Sequence, residues 1–272
     1  MLPDVFKTII LGIIEGISEW LPISSTGHMI LAEEFLKLDV SPNFWEMFLV
    51  VIQLGAILAV VVLFFKNLFP WGFGKTKEDS KNIFNLWFKI LVACVPACII
   101  GILFDDKIDA LFYNYWTVAI ALIVYGILFI VIENLNKGKS KKVDNINKIS
   151  YKTAFLIGIF QVLALIPGTS RSGATILGGL ILGLDRSVAA SYTFYLAIPV
   201  MFGASFLKLV KFGFAFTGSE VIILLTGMLT AFIVSILAIN FLLKYIKRKD
   251  FKVFGYYRIV LGLIILIYFL LR

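Results

Sequence analysis

Six long apolar runs, at about 44–65, 83–104, 113–135, 188–210, 218–243 and 253–271, constrain this chain more than any other feature. Each is long enough to cross ~30 Å of hydrocarbon as an α-helix. Composition agrees. The 272 residues are 60% hydrophobic and 15% charged, against about half and about a quarter for a soluble domain. The formal net charge of +8 would suggest nucleic acid on a soluble protein. Here the lysines cluster between apolar runs, so cytoplasmic loops and anionic lipid headgroups explain them, and no nucleic-acid partner is expected. Pro96 and Pro199 fall inside runs, where proline kinks a helix. Cys94 and Cys98 lie four apart on one helix face and are read as small buried hydrophobes, since two cysteines make no disulfide framework. The N-terminal apolar stretch is not read as a signal peptide, because Glu15 and Glu19 interrupt it and no clean small-residue cleavage site follows.

Two further apolar stretches are too short to span. Residues 5–20 end in polar groups and are broken at Pro22; a second short run, about 28–38, follows and ends at Asp39. Residues 151–166 are broken at Pro167-Gly168, with a polar turn and a short run to about 184. Each pair reads as a re-entrant helical hairpin. Non-helical backbone at membrane depth persists only when buried in protein or lining a wet cavity. The two stretches also align: Gly12, Glu15, Ser24 and Gly27 fall opposite Gly158, Gln161, Ser170 and Gly173 at a constant offset of 146. The reading is one all-α polytopic membrane domain over 1–272. Repeat 1 covers about 1–135, a lysine-rich loop covers 136–150, and repeat 2 covers about 151–272. Each repeat is a re-entrant hairpin plus three transmembrane helices.

Three spans per repeat is an odd number, so the second repeat enters from the opposite side and the repeats are inverted. Loops 66–82, 136–152 and 244–252 fall on one side with most of the lysine and arginine, and that side is expected to be cytoplasmic. Loops 105–109 and 212–219 fall on the other. Both termini and the first hairpin then start outside and the second hairpin starts inside, with the hairpin tips meeting near the midplane.

Ionisable groups at depth are functional candidates that need a named partner. Glu15 and Glu19 lie four apart on one helix face, where like charges repel unless a cation sits between them or one is protonated. They suit a divalent-cation site, or a general base beside a second carboxylate. His28, the sole histidine, follows Ser25 by three residues and suits a general acid, a general base or a phosphate donor. Ser24, Ser25 and Thr26 stand in a row where a helix cap needs one hydroxyl, and Thr169, Ser170 and Ser172 do the same in the second hairpin. Two helix N-termini with free N–H groups form an anion cradle. Arg171 adds a planar fork suited to phosphate oxygens, and Thr175, four residues on, extends the cradle. The implied ligand is anionic, metal-assisted and reached from within the bilayer, which a lipid phosphate satisfies.

EGISEWLPISSTGH (15–28) and PGTSRSGATI (167–176) resemble the signature regions of the bacterial undecaprenyl-diphosphate phosphatase family, also called the bacitracin-resistance protein family. The first matches an ExxxE pattern followed by LP-x-SSTGH, the second a PG-x-SRS-x-x-T pattern, and the likeness extends along the whole chain in length and apolar layout. The resemblance implies hydrolysis of undecaprenyl diphosphate to undecaprenyl phosphate and phosphate, supported by a divalent cation, Mg2+ or Ca2+. This recycles the lipid carrier of peptidoglycan and other wall polymers. It also implies resistance to bacitracin, which sequesters the substrate. Glu15 and Glu19 take the acidic roles, Ser25 and His28 act near the scissile phosphate, and Arg171 acts on the diphosphate; Ser170 and Thr175 complete the second motif. A homodimer in the bacterial plasma membrane, with its site opening toward the outer face, is implied on the same ground.

Two mechanisms stay open. Ser25 attacks the distal phosphorus while Glu19 or His28 takes its proton, or water activated by a cation attacks while Ser25 positions substrate. A transporter or flippase of a phosphorylated polyprenyl lipid is the rival function, since broken helices meeting at the midplane are a transporter plan. The carboxylate pair beside Ser25 and His28 favours hydrolysis, because transport needs no nucleophile.

Overall fold

The computed structural model describes residues 2–72, 74–213 and 215–271, with the side chains at 105, 106 and 109 outside the description. In chain order, α1 (Leu2–Ser18) and α2 (Ser25–Phe35) form the first broken pair. Next come α3 (Pro42–Val51) and α4 (Gln53–Leu63), which meet end to end at Ile52, then the short α5 (Phe65–Leu68), α6 (Lys77–Phe112) and α7 (Tyr115–Leu135). A 3-10 turn at Ile146–Lys148 precedes α8 (Tyr151–Val162), α9 (Arg171–Ile181), α10 (Arg186–Phe212), α11 (Gly218–Ile246) and α12 (Lys252–Leu270). Among the described residues six segments are long and apolar enough to cross a membrane: Pro42–Leu63, Lys77–Phe104, Tyr115–Leu135, Arg186–Phe212, Gly218–Ile246 and Lys252–Leu270. The protein is an all-α, multi-pass membrane protein.

Local chemistry sets the helix starts. Ser41, Asn114, Ser150, Asp185 and Thr217 each accept a first-turn backbone N–H, and Thr217 and Glu220 complete a reciprocal capping box. The helices after the two hairpin breaks start differently. Their N-caps, Ser24 and Ser170, adopt positive φ of 72° and 69°, an uncommon conformation for a side chain other than glycine. Each caps with its hydroxyl, Ser24 accepting from the Gly27 N–H and Ser170 from the Gly173 N–H. The residue offset of 146 therefore carries the same backbone turn twice.

Packing follows that correspondence. α1 lies against α11, α8 lies against α6, and α7 lies against α12. A Cβ on Gly12 would meet the Gly227 carbonyl oxygen at 2.9 Å, and one on Gly158 would meet the Ala93 carbonyl oxygen at 2.3 Å. Small residues at both places let the backbones approach. Trp20, Phe129, Tyr192, Phe194 and Phe251 are fully buried in the main core. The outward faces expose Phe88, Leu103, Phe202, Leu229, Leu237 and Val260, the inverse of a soluble surface and the form a lipid solvent favours.

Polar bonds tie the lysine-rich loops together at one end. The Glu133 carboxylate, at the end of α7, accepts from Arg186 Nε at 2.9 Å, from the guanidinium Nη2 at 2.5 Å and from the Phe251 N–H at 3.0 Å. Lys142 N–H donates to the Gly183 carbonyl, and buried Lys89 donates to the Asn147 carbonyl.

Two sequence expectations change. The stretch 105–109 is not a loop, because α6 continues to Phe112. Charge ends a hydrophobic span there, but no glycine or proline ends the helix. Cys94 is buried as expected, whereas Cys98, one turn further along α6, is exposed.

Candidate active site

α1 brings Glu15 and Glu19 to the first break. The Glu19 N–H donates to the Glu15 carbonyl at 3.0 Å, so Glu15, in the last turn of α1, and Glu19, just past its end, stand one helical turn apart. Both are buried. Ser25, the first residue of α2, donates from Oγ to Glu19 Oε2 at 2.8 Å. Arg171, the first residue of α9, donates from Nη2 to Glu19 Oε1 at 2.9 Å. One carboxylate thus joins a hydroxyl from its own hairpin to a guanidinium from the other. Arg171 also donates from Nη1 to the Thr193 carbonyl at 2.9 Å, and its Cζ lies 5.6 Å from the centre of the Trp20 ring.

The other sequence-predicted residues divide by what they touch. Ser172 donates to the Glu19 carbonyl at 3.1 Å, tethering the second hairpin to the first. Ser170 caps α9 and lies 3.1 Å, oxygen to oxygen, from Ser172. Thr175 does not face the cradle. Its hydroxyl donates to the Arg171 carbonyl at 2.8 Å and meets Thr193 Oγ1 at 2.9 Å, so it braces the turn behind Arg171. Thr169 is buried, and Thr26 is half-buried in the first turn of α2. His28 is held at both nitrogens: Nδ1 lies 2.7 Å from the Ser24 carbonyl and Nε2 lies 2.7 Å from the Tyr257 hydroxyl. A carbonyl only accepts, so Nδ1 carries the proton.

Arg258 is the largest element that the sequence reading missed. It is fully buried in α12 and donates to three loop carbonyls: Pro22 at 3.2 Å, Gly168 at 2.8 Å and Thr169 at 2.8 Å. One guanidinium therefore pins both hairpin breaks. The signal was present, since an arginine within an apolar span is a candidate by default.

The sequence model of a family described as bacitracin resistance protein BacA matches residues 8–264. The chain belongs to this family. An undecaprenyl-diphosphatase of Desulfitobacterium hafniense is 63% identical over 272 residues, covering 100% of this chain and 98% of its own. One from Acetivibrio thermocellus is 64% identical over 267 residues, covering 98% of each chain. One from Enterococcus faecalis is 59% identical over 273 residues, covering 99% of each. The family match thus covers both hairpin breaks, five of the long helices and most of the sixth.

Among the described residues no group of three or more His, Cys, Asp or Glu side chains comes together as a metal cage. Glu15 Oε1, however, is buried without a hydrogen-bond partner, one turn from Glu19. Magnesium is held by one or two carboxylates together with substrate phosphate oxygens. The residues therefore fit a cation shared with a phosphorylated ligand. Arg171 Nε is likewise buried and unpartnered, leaving N–H capacity for an anion.

Proposed function

We propose that this chain hydrolyses undecaprenyl diphosphate to undecaprenyl phosphate and inorganic phosphate, returning the lipid carrier to peptidoglycan and cell-wall synthesis and conferring bacitracin resistance. The names of its relatives support the substrate. The observation that carries the chemistry is the Ser25–Glu19–Arg171 chain of contacts, at 2.8 and 2.9 Å, joining the two hairpins.

A hydroxyl bonded to a carboxylate is an activated nucleophile in the making. Ser25 Oγ attacks the distal phosphorus and passes its proton to Glu19. The Oγ–P bond forms, the bridging P–O bond breaks, and undecaprenyl phosphate leaves. Water then attacks the phosphoserine, and Ser25 recovers a proton as inorganic phosphate departs. Arg171 and the N–H groups at the starts of α2 and α9, with Thr26, hold charge on the transferring group throughout. Ser24, Ser170 and Ser172 shape that cradle, and Thr175 supports Arg171 from behind. Glu15 and Glu19 would hold a divalent cation, Mg2+ or Ca2+, which would supply charge neutralisation at the phosphate oxygens. Both His28 nitrogens are engaged, by the Ser24 carbonyl and the Tyr257 hydroxyl, which favours Glu19 as the base.

The same reading gives two inverted repeats, about 1–135 and 151–272. It sets the lysine-rich end in the cytoplasm of the bacterial plasma membrane, with the site opening to the outer face. It also gives a homodimer. The deciding assay is phosphate release by detergent-purified protein from a C55 or shorter polyprenyl diphosphate. Release should occur with Mg2+ or Ca2+, stop with EDTA and resume on adding the cation back. Tight substrate binding with no release would replace the enzyme with a carrier; release unaffected by EDTA would remove the cation.

A further inference from the structure

The turn that presents Ser25 rests on a serine in an unfavourable backbone conformation. Ser24 has φ 72°, and such a residue persists only where its surroundings hold it. Three bonds do so. The Gly27 N–H donates to Ser24 Oγ at 3.3 Å, the His28 N–H donates to the Ser24 carbonyl at 3.4 Å, and His28 Nδ1–H donates to the same carbonyl at 2.7 Å. The shortest of these comes from a side chain, and it points correctly only while the imidazole is held. Tyr257 of α12 does the holding. Its hydroxyl meets Nε2 at 2.7 Å, and the two rings stack at 5.6 Å between centroids with 7° between planes.

The protons are fixed by the partners. Nδ1 faces a carbonyl and donates, so the neutral ring offers a lone pair at Nε2, and Tyr257 donates into it. We propose that Tyr257 is a positioning residue for phosphoryl transfer, holding Ser25 in place through His28 and the Ser24 carbonyl. The stacked phenol keeps the ring in one plane and one tautomer. Tyr257 adjoins Arg258, which pins the Pro22 carbonyl on the other side of the same break, so one turn of α12 braces the turn from both sides.

The proposal rests on the reading of Ser25 and His28 above, and its test separates the two. His28 is the only histidine, so 15N-histidine labelling of the detergent-solubilised full chain gives one pair of ring nitrogens. Nδ1 should be protonated and Nε2 unprotonated but hydrogen-bonded. Tyr257→Phe keeps the ring and removes the hydroxyl; it should move the Nε2 resonance toward a free lone pair and leave Nδ1 protonated. In steady-state phosphate release it should lower kcat about tenfold, the loss of one neutral hydrogen bond, with KM unchanged within about twofold. In a His28→Ala background the same substitution should change kcat by less than about twofold, since partners acting as a unit are not additive. An unchanged Nε2 resonance, or an equal loss of kcat in both backgrounds, overturns the proposal. If His28→Ala leaves too little turnover to measure, the nitrogen spectrum and the kcat-against-KM split of Tyr257→Phe decide together, and a loss confined to KM overturns the proposal. A wild-type protein that releases no phosphate overturns the proposed function instead, because the spectrum reads the contact without substrate.

Discussion

Replacing Arg258 with methionine tests whether one guanidinium sets the distance between the hairpins. The side chain keeps its length and apolar volume and loses its donors. In the native protein those donors reach the Gly168 and Thr169 carbonyls at 2.8 Å each and the Pro22 carbonyl at 3.2 Å. A hydrogen bond to a charged group contributes about 1.5–3 kcal/mol, so two close contacts and a longer one come to about 4–7 kcal/mol. Against this stands the several kcal/mol it costs to bury a guanidinium, which the variant avoids. The net destabilisation is then about 1–4 kcal/mol, or roughly 2–10 °C in Tm for a chain of this size. Activity should suffer more. Glu19 and Arg171 sit on opposite sides of the released joint, and a displacement of ~1 Å between reacting groups costs about 10²-fold. The assays are thermal unfolding in detergent and kcat/KM for phosphate release at a temperature where both proteins are folded. Arg258→Lys should fall between, since an ammonium keeps the charge but lacks the two spaced nitrogens that reach Pro22 on one loop and Gly168 and Thr169 on the other. Activity within about twofold of wild type would refute the argument, and so would a loss of activity that merely tracks the unfolded fraction.

Ser25→Ala should remove turnover by at least about 10³-fold if the hydroxyl is the nucleophile. In rapid mixing the wild type should release a burst of undecaprenyl phosphate and yield an acid-trapped phosphoserine; residual activity within about tenfold of wild type and no trapped species would favour direct attack by water. Gly168→Ala should destabilise by about 2–5 kcal/mol by thermal unfolding. Gly168 has φ +89°, and a Cβ would sit 2.4 Å from the Val118 carbonyl oxygen, combining backbone strain with overpacking.

Much of this was legible in the chain because membrane insertion leaves few choices. Twenty apolar residues must form a helix, and Pro22 and Pro167-Gly168 in short apolar stretches must break one. Glu15, Glu19, Ser25 and Arg171 stood out since each is polar where polarity is costly. What the sequence hid was direction. Thr175 falls one turn from Arg171 on the cradle-facing reading, yet a threonine hydroxyl bonds readily to the carbonyl four residues back, and here it does. Arg258 stands within an apolar run and Glu133 near the end of one, and the sequence names no partner for either charge. Only packing shows that one is sealed among loop carbonyls and the other between Arg186 and the Phe251 N–H. The end of α6 was misplaced for a related reason: hydropathy marks where lipid stops, and hydrogen bonding decides where a helix does.

Ser25 and Arg171 each follow a left-handed serine, 146 residues apart, as the opening residue of a helix. One backbone turn, used twice, thus presents a hydroxyl at one place and a guanidinium at the other, with Glu19 between them. A pair of identical unlinked halves would offer the same residue twice, two hydroxyls or two guanidiniums facing each other. Two matching turns with different opening residues instead set a hydroxyl and a guanidinium on one shared carboxylate, complementary chemistry at a single centre.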